Sequence, residues 1–112
     1  MAVTTKAIIP AKQAENSQTT QYTCPSSTRC VIDKFSVCNT TTGHVVFSIN
    51  LVNSGGSASA ANRFLSLKAI APDEDYSCPE IIGHVLEPGD FISTLASAAT
   101  SLTIRSSGRE IS

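Results

Sequence analysis

The residues whose types could do chemistry are few: His44 and His84, the cysteines Cys24, Cys30, Cys38 and Cys78, and the acidic run Asp73-Glu74-Asp75. A histidine pair would suit proton transfer or a metal. Here each histidine sits beside turn residues, His44 after Gly43 and His84 between Gly83 and Val85, which is the setting of an ordinary rim side chain. Four cysteines would suit zinc, but five, seven and thirty-nine residues separate them and no Cys-x-x-Cys knuckle occurs. At roughly 3.3 Å per strand residue, Cys30 and Cys38 would lie about 26 Å apart. The acidic run carries the oxygen chemistry that calcium prefers, without the spaced ligands and glycine of a calcium loop, and reads as a solvated turn. No Gly-x-Ser-x-Gly elbow is present, and Gly55-Gly56 is not followed by the lysine and hydroxyl of a phosphate loop. Asn39-Thr40-Thr41 formally matches a glycosylation acceptor but reads as a tight turn in which Asn39 takes a positive φ. The expectation is no enzyme, no catalytic, cofactor-binding or metal-binding residue, and no cofactor.

The elements that would carry these residues follow from composition. At 112 residues the chain fits one domain, and 28 Ser and Thr with no Trp, one Met and 15% charged residues suit short strands with hydroxyl-lined outer faces better than amphipathic helices. Eight basic and nine acidic side chains without a basic run exclude an electrostatic footprint for nucleic acid or for a membrane surface. The N-terminal stretch lacks the apolar core of a signal peptide, and no segment approaches the roughly 20 apolar residues of a membrane span. Synthesis in a cytoplasm, with free thiols, is expected.

Thr28 to Val52 is the best-patterned stretch. Val45, Phe47, Ile49 and Leu51 alternate with polar or smaller neighbours, the period of a half-buried strand. In the arm before it, Val31, Asp33, Phe35 and Val37 fall on one face. The two arms, joined by residues 39–43, predict a hairpin in which Phe35, Phe47, Ile49 and Leu51 share a buried face and require a covering sheet. Residues 1–18, with Ala7-Ile8-Ile9 as their apolar patch, predict an N-terminal arm or an edge strand, and residues 19–112 a β-sandwich domain. Thr20 to Cys24 reads as a strand ended by Pro25, residues 53–62 as a flexible surface loop, and Arg63 to Ala71 as a strand. Beyond the Pro72 turn, Tyr76 to Val85 reads as a strand interrupted at Pro79, and Pro88-Gly89 as a turn. Phe91–Leu95 and Ser101–Arg105 read as a paired set, with a short strand at Glu110-Ile111. The β-branched Ile92, Thr94, Thr100 and Thr103 count against a helix over residues 91–102. Seven or eight strands between turn signals predict an all-β, antiparallel sandwich or jelly-roll-like barrel.

Several stretches carry a resemblance: Tyr22-Thr23-Cys24-Pro25, Val31 through Thr41, Leu51-Val52-Asn53-Ser54-Gly55-Gly56, and Cys78-Pro79-Glu80 through Leu86-Glu87-Pro88-Gly89-Asp90-Phe91-Ile92 to Ser106-Ser107-Gly108-Arg109-Glu110-Ile111. Over nearly the whole chain they are similar to small virion proteins of tailed bacteriophages. The four cysteines are not part of that pattern. The resemblance implies a non-enzymatic β-sandwich attached to the capsid, collar or tail, foremost a head decoration or cement protein bound in many copies. It implies a virion location after assembly in the bacterial host cytoplasm. The implied partners are the phage major capsid protein or other virion proteins, with homo-oligomerisation, and neither nucleic acid nor membrane. A collar, head-tail or tail fibre component is the alternative. A receptor- or carbohydrate-binding module would stack sugars on exposed aromatics, for which Tyr22 and Tyr76 are the candidates. Attachment is expected through an edge strand and the N-terminal arm, where Val3, Ile8 and Ile9 could dock on a neighbour.

Overall fold

A computed structural model describes residues 2–112. Nine strands follow one another: β1 (Val3–Gln13), β2 (Thr19–Thr23), β3 (Arg29–Asn39), β4 (Val45–Val52), β5 (Arg63–Ile70), β6 (Asp75–Tyr76), β7 (Val85–Leu86), β8 (Phe91–Ala96) and β9 (Leu102–Ile111). They form two antiparallel sheets. One has the order β1-β9-β3, with the short β6 and β7 both on the far edge of β3; the other has the order β2-β8-β4-β5. The partners are β1 with β9, β2 with β8, β3 with β6 and β7, and β4 with β5. Read in chain order, the polypeptide doubles back once, between β4 and β5, and the doubled ribbon is rolled into two layers. That is the jelly-roll arrangement, and it meets the expected fold class.

The layers bury one core, in which Phe35 of β3 and Phe47 of β4 meet with ring centroids 6.3 Å apart. Ile32, Val37, Ile49, Ile70, Ile81, Leu86, Ile92, Leu102 and Ile104 fill the space around them. Phe35, Phe47 and Ile49 are buried as expected, whereas Leu51 is only half-buried near the end of its strand.

The predicted hairpin of β3 and β4 is corrected. The two strands belong to opposite sheets and face each other across the core, so residues 40–44 form an arch between layers. Side-chain alternation reports which face of a strand is buried, not which neighbour takes its backbone hydrogen bonds. Both edges of β3 are taken by β9 and by β6 and β7, and both edges of β4 by β8 and β5. The same correction applies to β8 and β9, which also lie in different sheets.

The face assigned to the first half of β3 is corrected too. The register against β9 shifts between Ile32 and Lys34, so Cys30 and Ile32 point inward before the bulge and Phe35, Val37 and Asn39 after it. An extra residue in one strand flips the parity of everything beyond it.

Four smaller expectations change. Residues 53–62 are not a free loop: a single 3₁₀ turn, Ala60–Asn62, is closed by a reciprocal Ser59–Asn62 cap, and Asn50 of β4 donates to Ser59 O and Asn62 Oδ1. The interrupted strand over Tyr76 to Val85 is two two-residue strands flanking a bulged segment, in which Cys78 and Gly83 take positive φ. Glu110-Ile111 is the end of β9 rather than a separate strand. Residues 3–13 form an edge strand on β9, with Ile8 and Ile9 in the core. Those isoleucines are therefore not free to dock on a neighbour.

Candidate functional site

β3 separates the residues that chemistry would need together. The backbone of His84 bonds to Ile32 near the start of β3, while His44 lies in the arch beyond its end at Asn39. Seven residue steps along the strand, about 23 Å, separate these points. The histidines therefore have no shared site. His84 instead lies against Phe64 of β5, with ring centroids 5.0 Å apart.

The acidic turn is occupied with its own structure. Asp73 takes a positive φ of 59° and its N–H donates to Asn39 O at 3.0 Å, while Glu74 Oε1 accepts from Ala71 N–H at 2.7 Å. Asp75 is the strand partner of Cys38, and its carboxylate is the first cause holding that thiol protonated above its usual range. Glu80 accepts from the Tyr76 hydroxyl, and the Tyr76 ring lies 4.9 Å beneath Lys68 Nζ. Tyr76 is therefore covered by its own chain rather than open to a sugar. Burial first, then Glu80, pushes its hydroxyl up to about 12.

Tyr22 is also spent internally. Its hydroxyl donates to the Glu110 carboxylate of β9 and lies 3.0 Å from Cys30 Sγ, and Lys6 Nζ closes on the same carboxylate at 3.4 Å. This cluster ties the edge of one sheet to the other. Burial first, then Cys30 and Glu110, raises the phenol far above its ordinary range. Asn39, read from sequence as a turn residue of positive φ, is not among the positive-φ residues. Its fully buried side chain donates to Gly43 O and Ile70 O, both at 2.8 Å, and accepts from Thr41 N–H at 2.9 Å and Thr41 Oγ1 at 2.7 Å. In the fold that amide is not accessible to a glycosylating enzyme.

What remains open is the rim. Every sheet edge among the described residues is blunted against strand addition. β1 is long, but its register shifts twice, between Lys6 and Ile9 and between Ile9 and Lys12, and Pro10 removes a donor. β5 bulges where Leu67, opposite Ser48, takes a φ of 49° and donates its N–H to Ser48 Oγ at 2.9 Å. β2 has five residues, and β6 and β7 two each.

Of the exposed large apolar side chains among the described residues, Val3 stands on β1 and Leu67 on β5 beside Ser48, while Phe64, Ile82 and Val85 lie on or beside His84. Phe64 is 42% exposed, Ile82 38% and Val85 53%, and the Phe64 ring packs on His84, which lies between Ile82 and Val85 in the chain. Beside them an open depression of about 460 Å³ is lined by Asp33, Lys34, Ser77, Pro79 and Ile82, in the gap between β6 and β7. Sequence reasoning missed this flank, because the alternation over Arg63 to Ala71 gave no clean inner face and nothing in it brings Phe64 to His84.

No protein-family model matches the chain, and no curated protein is similar to it in sequence. A chain in a structure of infectious bursal disease virus, Gx strain, has a similar fold, with a TM-score of 0.56 and 12% identity. The similarity covers 98% of this chain and 33% of that one, so this chain spans about a third of the length of its structural counterpart. At that identity the shared property is the fold, a two-sheet antiparallel sandwich that recurs in a virus particle.

Proposed function

We propose that the protein is a non-enzymatic structural protein of a virion, a tailed-phage decoration or cement protein that binds the head shell in many copies. The carrying observation is the rolled two-sheet fold, matched over almost the whole chain by a chain of a virus structure. It is joined here by the resemblance of the stretches quoted above to small phage virion proteins and by histidines and carboxylates that are dispersed or engaged in the fold's own bonds. The partner is the major capsid protein or a neighbouring virion protein. The contact runs through the apolar flank of Phe64, Ile82 and Val85, since Ile8 and Ile9 are in the core and the strand edges are blunted. A flank of this size gives a modest affinity per copy, which repetition on a lattice multiplies.

Collar, head-tail or tail fibre placement is the second reading, favoured by the same motifs, and a lattice-binding assay separates the two. Purified protein is added to phage heads that lack it, and the pellet is quantified. Saturable binding at many copies per head supports decoration, and binding to tails alone supports the second reading. The variant Phe64→Ser with Val85→Ser should keep a cooperative melt and lose binding. Undiminished binding by that variant would reject the flank, and no binding of the wild-type protein to any particle component would reject the function.

A further inference from the structure

The roll of the sheets brings two of the four cysteines, Cys24 and Cys30, to the same end of the core around Leu86 and Tyr22, although the sequence gives no reason to pair them. Cys24 follows β2 in one sheet, held by backbone bonds from its N–H to Asp90 O at 2.8 Å and from Gly89 N–H to its carbonyl at 2.9 Å. Cys30 is the second residue of β3 in the other sheet, where it lies opposite Leu86 of β7 and Glu110 of β9. The Cys24 thiol donates to Thr28 O at 3.1 Å and reaches Leu86 O at 3.5 Å, so it points at the strand position directly across from Cys30. Leu86 is the strand partner of Cys30, and strand partners sit roughly 4.5 to 5.5 Å apart at Cα, so the Cys24 thiol lies against the backbone that neighbours Cys30. Two residues before Cys24, the Tyr22 hydroxyl lies 3.0 Å from Cys30 Sγ, and both cysteines belong to the same buried core. Cys38 is at the other end of β3, and Cys78 lies in the bulged segment after β6.

We infer that Cys24 and Cys30 are a latent cross-link, two thiols that close to a disulfide once the protein leaves a reducing compartment, pinning the β2–β3 crossover and with it one sheet to the other. This does not depend on the proposed virion role. With a low-molecular-weight disulfide as oxidant, one cysteine thiolate attacks a sulfur of the oxidant and releases a thiolate. The second cysteine then attacks the mixed disulfide, forms the Sγ–Sγ bond and releases the other. The two cysteines lose two protons and two electrons, and the oxidant becomes two thiols. Both thiols are buried, and burial, then the Cys30 neighbour, pushes Cys24 up to about 12. Closure is therefore slow in the static fold and proceeds through opening of the exposed connection Pro25-Ser26-Ser27, in which Ser27 takes a φ of 57°.

The test is to incubate the full-length reduced protein with oxidised glutathione at mildly alkaline pH, both in buffer and in urea just below the unfolding midpoint. Remaining thiols are then alkylated and the peptides mapped. The expected product is an intramolecular Cys24–Cys30 peptide pair, formed faster in urea, with Cys38 and Cys78 still alkylatable or carrying glutathione singly. The cross-linked protein should melt several degrees higher than the reduced form. In Cys24→Ser, Cys30 should stop at the glutathione adduct. The inference is overturned if no Cys24–Cys30 peptide forms in either condition while Cys38 is consumed, or if the dominant disulfide involves Cys38 or Cys78.

Discussion

At the scale of single residues the fold rests on a few enclosed side chains. Phe47 is fully buried and meets Phe35 across the core, so Phe47→Ala should cost about 3 to 5 kcal/mol in urea denaturation, a large part of a small domain's stability. A loss below about 1 kcal/mol would show that the ring is not enclosed. Such residues were legible, because apolar alternation picks them out whichever strands they join. The polar ones were not. Glu15 gathers Gln21 Nε2 at 2.8 Å and Lys12 Nζ at 2.9 Å at the corner between β1 and β2, partners that no sequence pattern announces. Those bonds, the one from Gln21 first, hold its carboxyl below the ordinary 4.5. A depressed carboxylate stabilises the fold above its unfolded pKa, and that contribution fades as pH falls through its folded value. The melting temperature of the wild type should accordingly drop more than that of Glu15→Gln between about pH 5 and about pH 3. Parallel curves would remove Glu15 from the acid response.

At the scale of elements, strand positions could be read and strand partners could not. Periodicity placed β2, β4, β5 and β8 within a residue or two, yet the β3–β4 hairpin is an arch, since nothing local distinguishes a turn within a sheet from a turn between sheets. Asn39 holds the arch in place. Its four hydrogen bonds join the end of β3, the arch and the end of β5, so Asn39→Ala should cost about 2 to 4 kcal/mol in stability by leaving buried carbonyls such as Ile70 O unpaired. Asn39→Asp, which keeps the acceptor and loses the donor, should fall between the two. Equal stability of Asn39→Ala and wild type would contradict the clamp. The bulge in β3 has a similar hidden cause: a Cβ on Gly108, opposite Ile32, would lie 2.3 Å from Val31 O, so the strands approach at a point that only glycine allows. The sequence displays that glycine without showing what it faces.

At the scale of the whole molecule, the ends of the chain close the roll. β1 lies on β9, and Ala2 and Ser112 exchange backbone bonds at 2.9 Å each way, so residues 2–18 are not an appendage that can be removed from a finished body. A variant starting near Thr19 loses Ile8 and Ile9 from the core, about 3 to 6 kcal/mol of apolar burial, and exposes the edge of β9. It should lose its cooperative melt. A truncated chain with native-like circular dichroism and an unchanged melting temperature would mean that β1 is dispensable. The proposed place of this jelly roll as a repeated part of a phage head is tested by counting copies of the chain against the major capsid protein in purified particles, using isotope-labelled peptides. The expected result is a fixed ratio of many copies per particle, retained in heads freed of tails. Absence from the particles, or recovery only with the tails, would contradict it.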